Sequence, residues 1–132
     1  MPAPDSADPI LSVVVPAFNE EGNLHLLHER LTQVLVAVGE PYEIILINDG
    51  SRDRTLAIMR ELAAADPRVQ YVSLSRNFGH EMALTAGISH ARGQAVVLID
   101  ADLQDPPELI GTMMARWREG VQVVYAQRSK RE

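Results

Sequence analysis

The 132-residue sequence predicts an α/β fold built on a mostly parallel sheet. Three observations carry that expectation. Five short runs rich in Val, Ile and Leu alternate with four stretches of helical periodicity, the order that a layered α/β domain requires. The strand runs are continuously apolar instead of alternating, as expected where helices cover both faces of a sheet. Gly, Pro, Asn and Asp cluster between the runs and punctuate them.

Residues 11–16 (LSVVVP) form the first strand, a β-branched run ended by Pro16, which has no N–H for a sheet ladder. Asn23 stands at an N-cap. Leu24, Leu27, Leu31, Val34, Leu35 and Val38 then trace one face of a helix, stopped by Gly39 and Pro41. Residues 42–47 (YEIILI) are the second strand and 48–51 (NDGS) a turn. Asp53 caps a second helix with Leu56, Met59, Leu62 and Ala63 facing inward, closed by Asp66 and Pro67. Residues 69–74 are a third strand, followed by a loop with Asn77 and Gly79. A helix of small residues covers 81–91 and ends at Gly93. Residues 95–99 (AVVLI), the most hydrophobic strand, are expected at the centre of the sheet. Asp105, Pro106 and Glu108 take the N-cap, N1 and N3 places of a fourth helix. That helix buries Leu109, Ile110, Met113, Met114 and Trp117 and stops at Gly120. Residues 121–126 (VQVVYA) are the last strand, and 128–132 a polar, basic end.

Composition narrows the function. Twelve Lys and Arg against eighteen Asp and Glu give a net charge of −6, which argues against general binding to nucleic acid or anionic membrane. At 46% hydrophobic residues the chain can fill a core. The absence of Cys excludes a disulfide scaffold and a thiolate metal site. No apolar run reaches the roughly 20 residues of a membrane-spanning helix. Residues 1–9, with three Pro and no basic flank or apolar stretch, read as a flexible tail and not as a signal peptide. A soluble cytoplasmic domain over residues 10–132 is the expectation.

In an open parallel sheet ligands bind outside the carboxyl ends of the strands, where the strand order reverses. The residues just after each strand are polar: 16–21 (PAFNEE), 48–51 (NDGS), 75–80 (SRNFGH) and 100–105 (DADLQD). Asp100 and Asp102 are two apart, so on extended backbone both carboxylates point to one side. Such a pair suits Mg²⁺ or Mn²⁺, with Gln104 able to add an amide oxygen. Capping of the next helix or solvation of the loop is the competing account, although Asp105 already supplies the cap. Asp49 either completes a turn or meets a ribose or base. Glu20 and Glu21 either line the site or complement a helix dipole, an account that suits Glu21 better. Arg76 and His80 flank a Gly where phosphate binding and a structural role both stay open, as they do for the basic end at Arg128.

Several chemistries are excluded. No G-x-G-x-x-G follows the first strand, and no Walker A Lys is present. His80 and Glu81 lack the second His of a zincin, since position 84 is Leu. The acid pair follows the fourth strand, unlike that of phosphatases, where it follows the first. No elbow motif supports Ser-His-Asp machinery.

Together the four segments resemble the family 2 glycosyltransferases of the GT-A fold. Residues 15–21 (VPAFNEE), 47–53 (INDGSRD) and 100–102 (DAD) look like that family's first loop, second loop and metal-binding acid motif. The strings 75–79 (SRNFG) and 100–108 (DADLQDPPE) are similar to the polyprenyl-phosphate branch, which includes dolichyl-phosphate mannose synthases. The resemblance covers about residues 10–130. It implies a Rossmann-like, three-layer GT-A sandwich, truncated relative to the full family domain and incomplete at its C-terminus. It also implies that Pro16, Phe18, Glu20, Ile47 and Asp49 hold a nucleoside. Asp100, Ala101, Asp102 and Gln104 would hold the diphosphate and its Mg²⁺ or Mn²⁺, with Asp100, Asp102 and Gln104 as metal ligands and Arg128 facing phosphate. The chain departs from the family at Asn48, where a second Asp is common, and at Phe18, where Tyr is common.

The function so implied is inverting transfer of a sugar from a UDP- or GDP-linked donor to an undecaprenyl or dolichyl phosphate, with Asp100 and Asp102 catalytic through the metal. The parent enzyme would work at the cytoplasmic face of a membrane. Two other readings remain: a donor-binding module without turnover, and a family 2 transferase with a carbohydrate acceptor. An apolar face left where further segments pack in the family would favour a homo-oligomer.

Overall fold

A computed structural model describes residues 8–103 and 106–120 of the chain. The strand expected at 121–126, the cap Asp105, Gln104, Arg128 and most of the expected tail lie outside those residues. Pro9, read as part of the tail, is buried. The order is β1 (Leu11–Ala17), α1 (Leu24–Val38), β2 (Tyr42–Asn48), α2 (Thr55–Ala65), β3 (Val69–Ser73), α3 (His80–His90), β4 (Ala95–Leu98) and α4 (Leu109–Arg118).

Among the described residues the strands form one parallel sheet in the order β3-β2-β1-β4. The chain builds outward from β1 to β3 and then returns to the other side of β1, so the order reverses between β1 and β4. The central place expected for β4 turns on the strand expected at 121–126, which lies outside the described residues; within those residues β4 stands next to β1. It pairs with β1 alone among the described residues, while β1 and β2 are buried along their whole length and occupy the middle. Val96 and Leu98 are 38% and 44% exposed.

Pro16 does not end β1, which runs on to Ala17 with Pro16 opposite Ile47. In a parallel strand a residue's N–H and carbonyl point to the same neighbour. Val14 offers its carbonyl to Ile99 of the β4 segment, whereas Ala17 offers its own to Asp49 beyond β2. The N–H that Pro16 lacks would therefore point towards β4, whose pairing with β1 stops at Val14 and Leu98.

Two cores follow from strand alternation. Leu11, Val13, Val15, Ile44 and Leu46 face α1, α2 and α4. Val14, Ile45 and Ile47 face α3, together with its Ala83. The result is a three-layer sandwich. α1 buries Leu24, Leu27, Leu31 and Leu35 as its periodicity predicts, and each buried Leu contributes about 1.5–3 kcal/mol. α2 is rotated from expectation, with Ile58 buried beside Met59 and Leu62 while Leu56 is only half-buried. On α4, Ile110 and Met114 are buried and Leu109 is exposed. α3 lies close to the sheet because of Gly87, where a Cβ would stand 2.2 Å from Val14 Cγ1.

The helix starts differ in detail from the sequence reading. Asn23 holds the cap position of α1, but its amide donates to Glu20 Oε1 at 2.8 Å and makes no cap bond. Asp53 lies one residue before the cap position of α2, yet its Oδ1 accepts the Thr55 N–H at 2.9 Å. α4 begins at Leu109, after a tighter turn in which Leu109 and Ile110 donate to the carbonyls of Pro106 and Pro107.

Candidate functional site

The carboxyl ends of β1, β2 and β4 open on a cleft of about 380 Å³. Pro16, Phe18 and Glu20 reach it from β1, Asp49 from β2, and Asp100, Ala101 and Asp102 from β4. Asn77, Gly79, His80 and Ala83 complete the wall from the start of α3.

The loop after β1 is stitched to the loop before α2. Asn19 sits at φ 54°, a left-handed conformation that Asn tolerates better than most residues. Its N–H donates to Ser51 Oγ at 2.9 Å, and its Oδ1 accepts the Arg52 N–H at 2.9 Å. The Glu20 N–H donates to Thr55 Oγ1 at 2.8 Å. Glu21 Oε1 takes the Arg54 N–H at 2.9 Å, so this acid complements the start of α2, not that of its own helix. Phe18 is thus held at the rim, 44% exposed.

The 48–51 turn is a structural device first. Asn48 is buried; its Oδ1 accepts the Ser51 N–H at 3.0 Å, and its Nδ2 donates to Ser73 Oγ at 3.0 Å. Asp49, 4% exposed, accepts the Phe78 N–H on Oδ1 at 2.8 Å and the Gly79 N–H on Oδ2 at 3.0 Å. Asn77 Nδ2 donates to the Asp49 carbonyl at 3.2 Å. Gly50 makes this contact possible, since at φ 71° its Cβ would lie 2.3 Å from Asn77 N. The carboxylate therefore fixes the approach to α3 as well as lining the cleft.

Across the cleft, His80 Nε2 lies 3.0 Å from Asp100 Oδ1. Asp100 directly follows Ile99, whose N–H donates to the Val14 carbonyl at 3.0 Å, and Leu103 turns the chain at φ 65°. A second hollow of about 530 Å³ lies on the far side of Phe18, lined by Asn48, Ser51, Arg52, Ser75 and Arg76 among others. The Arg76 guanidinium stacks over Phe78 at 4.7 Å.

Of the residues named from the sequence, Pro16, Phe18, Glu20, Asp49, Asp100, Ala101 and Asp102 come together at one cleft. Ile47 does not. Its side chain is fully buried in the core beneath α3. Gln104 and Arg128 lie outside the described residues. Asn77, Gly79 and Ala83 were not singled out from the sequence, while His80, left open there between phosphate binding and a structural role, lies on the cleft wall beside Asp100.

The donors present suit one kind of cation. Among the described residues no group of three His, Asp or Glu side chains forms a cage. Two neighbouring carboxylates on an open cleft instead match Mg²⁺ or Mn²⁺ that takes its remaining ligands from phosphate and water.

A parallel sheet with helices on both faces and a polar cleft at its switch point defines an α/β domain of the nucleotide-binding type. The chain belongs to glycosyl transferase family 2, whose family model matches residues 12–132. It is 53% identical over 121 residues to the uncharacterized glycosyltransferase YkcC of Bacillus subtilis, covering 92% of this chain and 38% of that protein. It is 44% identical to a prophage bactoprenol glucosyl transferase homolog of Escherichia coli, covering 92% of this chain and 40% of the other. Among solved structures it resembles the mannosyltransferase PcManGT of Pyrobaculum calidifontis in complex with GDP-Man and Mn²⁺. That match has a TM-score of 0.63 and 26% identity, covering 83% of this chain and 32% of the other. The chain thus spans about two fifths of the length of these curated relatives.

Proposed function

We propose that this chain is the donor-binding part of an inverting, metal-dependent transferase that moves a sugar from a UDP- or GDP-linked donor to a polyprenyl phosphate. The convergence of Asp100 and Asp102 with Phe18, Glu20 and Asp49 on one cleft carries this reading. Phe18 offers a ring face to the base, and Asp49 and Glu20 supply acceptors for the nucleoside. Pro16 and Ala101 shape the walls, while Ile47 supports the site from the core. Asp100 and Asp102 would hold Mg²⁺ or Mn²⁺, joined by Gln104 through its place in the family motif, and Arg128 would face phosphate. The bound cation supplies charge neutralisation for the leaving diphosphate.

The acceptor class is supported by the similarity to a bactoprenol glucosyl transferase homolog. A phosphate acceptor is already anionic and needs no side chain to remove a proton. Such an acceptor would be met at the cytoplasmic face of a membrane. Among the described residues no helix is long and apolar enough to cross one. A second copy is a further partner, since Val96 and Leu98 leave one face of β4 exposed. A sedimentation series that stays monomeric at all concentrations overturns that part.

Calorimetric titration of UDP and GDP, with and without Mn²⁺, tests the donor site. Metal-dependent binding that disappears in Asp102→Ala is the expected result. Absence of binding to either nucleotide in folded protein overturns the reading. The alternative reading is donor binding without turnover. Nucleotide affinity without sugar transfer to polyprenyl phosphate would select it.

A further inference from the structure

We infer that His80 is a positioning residue for the acid pair, its Nε2 holding Asp100 in the orientation that meets the cation. The inference rests on the donor-binding reading above. Two consecutive stretches of the 77–80 turn bind carboxylates on strands that flank β1. The N–H groups of Phe78 and Gly79 donate to Asp49 at the end of β2. His80, the next residue, reaches Asp100 at the end of β4, 3.0 Å from its Oδ1. β1 lies between those two strands, so the turn spans the switch point where the cleft opens.

The geometry gives the imidazole a defined task. The Asp100 backbone is set by the neighbouring Ile99 bond to Val14, and its side chain, about one-third exposed, meets the imidazole through Oδ1. His80 is itself half-exposed, yet its backbone begins α3 directly after the latch on Asp49. A ring so anchored favours the Asp100 orientation in which Oδ1 meets Nε2. Residues that orient a metal ligand through its other atoms typically affect metal affinity by 10–100-fold when lost.

Two substitutions in the full-length protein separate positioning from mere packing. In His80→Gln the amide nitrogen reaches the place of Nε2, whereas in His80→Asn it stops near the place of Nδ1. The readout is the free Mn²⁺ signal in electron paramagnetic resonance, in the presence of UDP or GDP. His80→Asn is expected to weaken Mn²⁺ binding about 10–100-fold, and His80→Gln to retain most of it. Nucleotide affinity without metal and amide-exchange protection at Gly79 should be unchanged in both. Asp102→Ala is the companion control. Wild-type binding that needs Asp102 but is the same in His80→Asn overturns the role of His80 and leaves the donor reading intact. Loss of Gly79 protection in His80→Asn also overturns it, in favour of a structural role. Absence of Mn²⁺ binding in the wild type overturns both.

Discussion

The carboxylate of Asp49 accepts the backbone N–H of Gly79 at 3.0 Å, joining the end of β2 to the start of α3 across thirty residues of sequence. Its other oxygen holds Phe78 at 2.8 Å. Both amides lie where α3 has not yet begun and has no carbonyl to offer them. One buried acid thereby organises a wall of the cleft that sequence spacing does not reveal.

Removing that acid should loosen the wall and the fold together. Hydrogen bonds to a charged group contribute about 1.5–3 kcal/mol each, so Asp49→Ala is expected to lower stability by about 3 kcal/mol in urea unfolding. Amide exchange at Phe78 and Gly79 should accelerate beyond the global change. Unaltered protection at both amides would disprove the latch.

Phe18 should behave oppositely, affecting affinity and not stability. Its half-exposed ring packs little of the core, so Phe18→Ala should change stability by less than about 0.5 kcal/mol. Loss of base stacking is worth about 1–3 kcal/mol, or roughly 5- to 150-fold in nucleotide affinity by calorimetry. Phe18→Tyr should bind like the wild type.

Asp53 gives a pH signature. Burial pushes its carboxyl up, but the hydroxyl and N–H of Thr55 and the N–H of Glu21 outweigh burial and leave it below the usual carboxylate range. A lowered pKa means stability that is present above the unfolded value, about 3.9, and is lost as pH falls through the folded value. The gap in thermal midpoint between wild type and Asp53→Asn should therefore be widest at neutral pH and close as the solution is acidified. A gap constant with pH would count against the assignment.

Glu43 tests the opposite end of the sheet. Its buried carboxylate accepts Ser12 Oγ–H at 2.6 Å, Gln70 Nε2–H at 2.8 Å and the Arg92 N–H at 2.8 Å. These bonds tie β1, β2, β3 and the chain leading into β4 together at their amino ends. Glu43→Ala should destabilise by about 3 kcal/mol, as Ser12, Gln70 and the Arg92 N–H lose their acceptor, and Ser12→Ala by about 1 kcal/mol, both read by denaturant unfolding. Nucleotide affinity of the folded fraction should not change, because the cleft lies at the carboxyl ends.

The helices show how far pattern reading reaches. In α1, four leucines recur over four turns, and only one face satisfies them all. In α2, apolar residues fill positions 56–59 without interruption, so the inward face could not be assigned from spacing, and packing chose Ile58 over Leu56. At the site, Asp100 and Asp102 were legible because their spacing and strand-end position are local facts. Ile47 adjoins the 48–51 turn in sequence, while strand alternation carries its side chain into the core.

Periodicity, turn chemistry and strand-end polarity are properties of neighbouring residues, and they sufficed for the α/β class, most element boundaries and the acid pair. The strand order, the rotation of α2 and the link from His80 to Asp100 depend on residues far apart in the chain. Twenty positions separate that last pair, and only the return of the chain across β1 brings them to 3.0 Å. Local preferences are worth tenths of a kcal/mol per residue, whereas burial and hydrogen bonding between distant segments are worth several times more. Where the two compete, the long-range contacts prevail.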